Sequence, residues 1–236
     1  ELRKGRQSIV FPNYPSIAAS AAVAGKKEGK GPLRADFDQI AADTKLGQAS
    51  WEKAESMLQK TAFELALEKA SLACGDLDIL FAGDLLNQCI SSSFAARDTN
   101  LPFLGLYGAC STMGEAMILG AMAAGAGYAD RVLALASSHF ASAERQFRFP
   151  LAYGNQRPQS TTWTVTGCGC VMIEGNEKNE GKDGRRAKEN ASESLKNAGQ
   201  EKLHPKFQPC IPAATPGKIV DMQMRDSMNM GAAMAV

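Results

Sequence analysis

No stretch of this 236-residue chain stays uncharged and apolar for the roughly 20 residues that a membrane-spanning helix needs. The longest apolar helical candidate runs from Ala116 to Ala129, is rich in Gly and Ala, and falls short of that length. An excess of one charge sign is missing too. Against 26 Lys and Arg stand 25 Asp and Glu, a net +1, so the chain carries no general basic field for nucleic acid or anionic lipid. Histidine is scarce, with only His139 and His204. The six cysteines form no CxxC pair and are scattered among apolar neighbours, so they read as reduced intracellular thiols rather than a disulfide framework. Cys168 and Cys170 lie two apart on a strand-like run, but no second ligand pair follows at zinc-finger spacing, and no metal site is expected. The N-terminal Glu1-Leu-Arg-Lys-Gly has no apolar segment behind it, so it does not read as a secretory signal. It also lacks an initiator Met, and the chain is read as trimmed or partial.

What is present suits a globular protein. Hydrophobic residues make up 44% and charged residues 22%. A chain of this length buries about 70–75% of its extended surface on folding. Ser8-Ile-Val-Phe11 is the first strand candidate, and the Pro-, Gly- and Lys-containing segment after it reads as a long loop or arm to about Gly47. Ser50 then caps an amphipathic helix. Trp51, Ala54, Leu58, Ala62, Leu65 and Ala66 recur at helical spacing, with Glu52, Glu55, Lys60 and Glu68 on the other face. Gly75 stands where a helix-terminating glycine is expected. Leu77–Ala82, Phe103–Tyr107, Val132–Ala136 and Trp163–Ile173 read as buried strands, and helices are expected over Gln88–Asp98 and Ser111–Gly125. That alternation predicts an α/β fold with a mostly parallel sheet. The helix over Ser111–Gly125 is apolar all round, with Glu115 its only charge, so it calls for a second layer on the side away from the sheet.

From Glu174 to Phe207 the composition changes, with seven acidic and eight basic residues and few apolar ones. This stretch, which includes His204, is expected to be a solvated insertion. Beyond Pro209 an ordered pattern resumes, with a strand over Lys218–Met222 and an apolar stretch over Met228–Val236.

Three segments carry chemistry. Cys110 lies at a strand–turn–helix junction, where free amide N–H groups favour a thiolate or a bound anion. It reads either as a ligand-facing or nucleophilic thiol or as a small buried thiol in a tight turn. Asp84, Asn87, Ser138 and His139 follow strand ends, and ligands of parallel α/β sheets gather there. Capping and loop hydrogen bonds would equally explain Asp84 and Asn87. The run Ala143–Pro150 interleaves Arg145, Gln146 and Arg148 with Phe residues, which suits a planar anion; an arm of packed Phe and solvated Arg is the alternative.

At these residues the chain resembles a known family. "AGDLLNQC", "LYGACSTM", "SSHFASAERQFRFPLAYGNQRP" and "VTGCGC" are similar to motifs of the stage V sporulation protein AD family of spore-forming bacteria, over about residues 6–174 and 208–236. The resemblance implies a thiolase-like fold of two similar halves with paired helices between them. On that reading residues 1–174 are one complete βαβαβαββ half with a five-stranded mixed sheet. Residues 175–207 are the charged insertion, and 208–236 begin a second, truncated half. The chain is therefore expected to be a fragment or a truncated relative.

The resemblance further implies non-catalytic binding of dipicolinic acid (pyridine-2,6-dicarboxylate), free or as its calcium chelate, for uptake into the developing spore. No cofactor or nucleic acid is implied. The expected partners are other proteins of an inner-membrane channel assembly, with a homodimer left open. The expected location is cytoplasmic or peripheral on the spore inner membrane. The ligand-binding residues on this reading are Asp84, Asn87, Cys110, Ser111, Ser138, His139, Arg145, Gln146 and Arg148. In the broader superfamily the cysteine at this turn accepts an acyl group. A condensing-type acyltransferase using Cys110 is therefore the alternative, though it would need a His with a second His or Asn to hold the oxyanion.

Overall fold

A computed structural model describes residues 2–147, 164–175 and 208–218, together with Val220 and Gln223. Its elements in chain order are β1 (Arg3–Lys4), β2 (Ser8–Val10), β3 (Ser16–Ala24), β4 (Gln39–Ile40), α1 (Trp51–Ala70), β5 (Ile79–Gly83), α2 (Ile90–Ala96), β6 (Phe103–Leu106), α3 (Thr112–Ala126), β7 (Arg131–Ser138), α4 (Phe140–Phe147), β8 (Gly167–Glu174) and β9 (Ala213–Ala214). The main sheet has the order β4-β3-β8-β7-β5-β6. Only β8 runs antiparallel to its neighbours β3 and β7; the pairs β7–β5, β5–β6 and β3–β4 are parallel. The fold is α/β with a mixed sheet, as expected, but the sheet has six strands rather than five. The extra strand is β4, two residues that add to the edge of β3.

The entry into the sheet also differs from expectation. Ser8–Val10 belongs to a separate three-stranded antiparallel sheet, β1-β2-β9. The first strand of the main sheet is β3, inside the segment expected to be a loop. Its sequence, Ser-Ile-Ala-Ala-Ser-Ala-Ala-Val-Ala, is too rich in alanine to show strand propensity or strict alternation. Pairing along the whole length of β8 makes it a strand, with one register shift between Ile17 and Ala19. Its small side chains also let α1 pack close. β9 has a parallel history: it lies at the start of the expected second half but pairs with β2.

Two apolar clusters sandwich the sheet. On one face Leu58, Ala62 and Ala66 of α1 meet Leu80, Leu133, Leu135, Cys170 and Met172. On the other face Ala116 and Ala124 of α3 meet Phe81, Val132, Ala134 and Ile173. Successive residues of β5 and β7 therefore face opposite layers. That is why these strands read as continuous apolar runs.

Ser50 caps α1 as expected, its Oγ accepting the Lys53 N–H at 3.3 Å. The helix ends earlier than Gly75. Ser71 takes the left-handed conformation at φ 56, and Gly75 falls in a 3-10 turn over Cys74–Asp76. Glu55 was expected on the solvent face of α1; it is fully buried. Helix α3 rests on the sheet through Ala116, Gly120, Ala121 and Ala124. A Cβ at Gly120 would lie 3.0 Å from Ile173 Cδ1 and 3.2 Å from Val132 Cγ1, so glycine sets how closely the helix approaches. The opposite side of α3 leaves Met122 exposed and Ile118 half-buried, as its all-round apolar pattern anticipates for a helix covered on one side, while Met117 packs against the sheet-side cluster. The charged insertion beyond Gly175 lies outside the described residues, as do His204, Trp163, most of the expected strand over Lys218–Met222 and the stretch Met228–Val236.

Gly83 ends β5 where β6 and α3 converge. A Cβ there would clash with the Leu106 carbonyl oxygen and sit 2.5 Å from Thr112 Cγ2. Gly83→Ala is expected to lower unfolding free energy by about 1–3 kcal/mol, as overpacking does, measured as a drop in the urea midpoint. An unchanged midpoint would show that the β5–β6 spacing yields without cost.

Candidate functional site

Strands β5, β6 and β7 lie side by side and run parallel, with Gly83 opposite both Leu106 and Ala136. Their carboxyl ends therefore deliver three loops to one edge of the sheet: 84–89, 107–111 and the turn from Ser138 into α4. All the described candidate residues sit on these loops or in α4. Arg148 lies outside the described residues. Three non-glycine residues in the first two loops, Gln88, Cys89 and Ala109, hold positive φ values of 62, 48 and 48. Such strain persists only where surrounding structure enforces it.

The loop after β5 is organised by Asp84, which is 1% exposed. Its Oδ1 accepts the Leu86 N–H at 2.8 Å, and its Oδ2 accepts the Ser92 N–H at 2.8 Å and the Ser92 hydroxyl at 2.6 Å. The carboxylate thus closes its own turn and anchors the start of α2. Asn87 reaches the third loop: its N–H donates to Gln146 Oε1 at 3.3 Å. Tyr107 links the second loop to the first, donating its hydroxyl to the Leu85 carbonyl at 3.3 Å.

Cys110 is exposed in the 3-10 turn Ala109–Ser111 that enters α3. Ser111, at the N-cap of α3, makes no side-chain cap; its hydroxyl donates back to the Gly108 carbonyl at 2.7 Å. The positive end of α3 is therefore not masked by that side chain.

The turn after β7 faces inward. Ser138 Oγ donates to the Val165 carbonyl at 2.6 Å. His139 is 1% exposed and uses both ring nitrogens. Nδ1 accepts the Ala141 N–H at 3.2 Å, so Nε2 carries the proton and donates to the Thr44 carbonyl at 2.6 Å. Burial lowers its pKa, against the opposing pull of the Thr44 carbonyl and Glu28, which keeps the ring neutral. Arg145 lies in α4. It pairs with Glu52 and stacks over Trp51, its guanidinium carbon 5.4 Å from the ring centroid. Gln146 Nε2 is buried with no partner among the described residues.

The structure thus joins Asn87 to Gln146 directly and ties the first two loops together, while Asp84 and His139 are committed to interior bonds and Ser138 to a bond at the surface. Beneath them lies a polar layer that the sequence reading missed. Gln59 Nε2 donates to Ser137 Oγ at 2.7 Å and Ser92 Oγ at 2.9 Å. Ser137 Oγ donates to Glu55 Oε1 at 3.0 Å, and Ser142 Oγ donates to Glu55 Oε2 at 2.8 Å. Burial drives the Glu55 pKa up to about 7, with the nearby Asp84 charge adding to it and the serine hydroxyls opposing. The signal was helical phase. Glu55 and Gln59 stand four apart and continue through Ala62 and Ala66, the stripe that packs on the sheet.

Among the described residues no three His, Cys, Asp or Glu side chains group as a metal site, and no helix is long and apolar enough to cross a membrane. The family model of stage V sporulation protein AD matches residues 5–236. The stage V sporulation protein AD of Bacillus subtilis (strain 168) is 38% identical over 231 residues, 98% of this chain and 60% of that protein, so the chain spans about 60% of that relative's length. Among solved structures, 3-oxoacyl-[acyl-carrier-protein] synthase III from Aquifex aeolicus VF5 is similar at 14% identity and TM-score 0.47, over 71% of this chain and 55% of that one. The corresponding synthase III from Xanthomonas oryzae pv. oryzae is similar at 16% identity and TM-score 0.48, over 73% and 59%.

Alkylation should sort the thiols by position. Cys110 and Cys210 are exposed, while Cys89, Cys168 and Cys170 are buried with thiol pKa values pushed up by burial. Iodoacetamide at pH 7.5 is expected to label Cys110 and Cys210 first and the buried three only after unfolding, read by peptide mass spectrometry. Early labelling of Cys168 or Cys170 would contradict the packing of β8.

Proposed function

We propose that this chain, which belongs to the stage V sporulation protein AD family, binds dipicolinic acid without chemically transforming it. It does so as a peripheral component of an inner-membrane channel assembly that moves the ligand into the developing spore. The ligand is a flat dianion, free or as its calcium chelate, and its recognition calls for cationic and neutral donors beside an apolar surface. The observation that carries the reading is the Gln146 amide. The Asn87 N–H fixes its oxygen, and its Nε2 is a buried donor without an acceptor among the described residues. A buried donor in that state is costly, and a carboxylate oxygen would satisfy it. Arg145 stands on the preceding residue of α4, and Cys110 and Ser111 open α3 on the neighbouring loop. Asp84, Ser138 and His139 serve this site as its framework.

The non-catalytic part of the proposal draws on His139. A thiol nucleophile needs a partner to take its proton and donors to hold the oxyanion. The imidazole of His139 is neutral, buried and bonded at both nitrogens to Thr44 and Ala141, so it is engaged away from such a role.

Calorimetry on the chain tests the proposal. Dipicolinate is expected to bind, and a hundredfold excess over Kd to stabilise the fold by about 2.7 kcal/mol. Arg145→Ala should weaken binding by roughly 1.5–3 kcal/mol, the range for a hydrogen bond to a charged group. Absence of heat with dipicolinate, together with an acyl adduct from acetyl- or malonyl-coenzyme A that disappears in Cys110→Ala, would replace this reading with the acyltransferase.

A further inference from the structure

The buried carboxyl beneath the loops has an unusual set of partners. Ser137 cannot turn away from Glu55, because its Oγ already accepts the Gln59 amide at 2.7 Å and its own proton goes to Glu55 Oε1 at 3.0 Å. Ser142 can turn. Its Oγ lies 2.8 Å from Glu55 Oε2 and 3.0 Å from the carbonyl oxygen of His139. That carbonyl also accepts the Ala143 N–H at 3.0 Å, the first hydrogen bond of α4.

We propose that Glu55 is the proton-linked positioning residue of this site, gaining or losing one proton together with a single rotation of the Ser142 hydroxyl, which resets the first hydrogen bond of α4. In the ionised form both serines donate to the carboxylate. In the neutral form the proton sits on Oε2 and is donated to Ser142 Oγ, and Ser142 donates to the His139 carbonyl instead. Every polar atom keeps a partner in both forms, so neither strands a buried donor. No bond other than O–H is made or broken.

The surroundings favour a proton at neutral pH. Burial is the main cause, and from the loop after β5 the negative charge of Asp84 works in the same direction. From β8, the Cys168 thiol is buried and protonated. From the β7–α4 turn, His139 is neutral, and Glu144 lies buried further along α4. On α1 itself Glu52 is already paired with Arg145. α2 contributes only the neutral Ser91 and Ser92. Helix α4 carries Arg145 and Gln146, so the protonation of Glu55 is transmitted to the residues proposed to hold the ligand; that last link rests on the reading in Proposed function.

Carbon-detected magnetic resonance on the chain with labelled glutamate tests the proposal without any variant. The Glu55 carboxyl is expected to titrate at about 7, and the Ala143 amide to move with the same midpoint. In Glu55→Gln both transitions should vanish. In Ser142→Ala the carboxyl should still titrate while the Ala143 amide no longer follows. Stability gives a second readout. The folded pKa lies above the ordinary value of 4.5, so the contribution is full below pH 4.5, declines as pH rises toward 7, and stays lost above it. The urea midpoint should fall through that window in the wild type, and this component should be absent in Glu55→Gln. A Glu55 carboxyl that titrates near 4.5, or an Ala143 amide indifferent to it, overturns the proposal. Dipicolinate affinity should change across the same midpoint. A wild type that binds no dipicolinate at any pH would remove the function proposed above and leave Glu55 to be judged by the two titrations.

Discussion

One amide nitrogen holds the working end of this sheet together. Gln59 Nε2, on the core-facing stripe of α1, donates to Ser137 at the end of β7 and to Ser92 in α2, with the Gly83 carbonyl of β5 at 3.4 Å. Three segments distant in sequence meet at that point. Burying a polar side chain in a core is costly unless it is bonded, and a half-satisfied network is worse than none. Glu55, one turn earlier, extends the same layer to Ser142 and so to α4. The first loop above is tied to it: Ser92, held by Gln59, gives both its N–H and its hydroxyl to Asp84 Oδ2, while Asp84 Oδ1 closes the turn on the Leu86 N–H.

The parts of the fold that were legible in the sequence were those whose local pattern and tertiary role agreed. Ser50 and the stripe Ala54–Leu58–Ala62–Ala66 announced α1, and the continuous apolar runs announced β5 and β7 because both faces of the sheet are covered. Strand β3 was illegible for the opposite reason. An alanine-rich segment has no strand propensity of its own, and only pairing with β8, itself 143 or more residues further along, makes it a strand. The end of α1 was misplaced because Ser71, not a glycine, takes the left-handed cap.

For the site, strand order sufficed to predict which loops converge. A parallel sheet gathers its carboxyl ends at one edge, whatever the side chains do there. The direction in which each side chain points was not legible. Asp84 and His139 have the composition of ligand contacts, yet both are buried and fully bonded within the chain. Glu55 shows the same failure reversed: a charged residue in an amphipathic helix is assigned to solvent by type, although its phase puts it on the packed stripe. Where residue type and helical phase disagree, phase decided here, because the helix can rotate only as a whole.

These commitments divide the site into two tiers with different tasks. The lower tier, Glu55, Gln59, Asp84, Ser137 and His139, is buried and satisfied, and it fixes where the strand ends and α4 sit. The upper tier, Asn87, Cys110, Arg145 and Gln146, keeps exposed atoms or a donor without an acceptor among the described residues, which is what the proposed binding draws on. A binding site needs both, since a rim on loops alone would pay for its ordering each time a ligand arrived. The positive φ values at Gln88, Cys89 and Ala109 fit this division. They are held above the rigid tier, where Asp84 accepts the Leu86 N–H and Cys89 Sγ donates to the Leu106 carbonyl, pinning the turns that bear the strain. Changes in the lower tier should therefore alter the rim through position rather than contact, and changes in the rim should leave the sheet as it is.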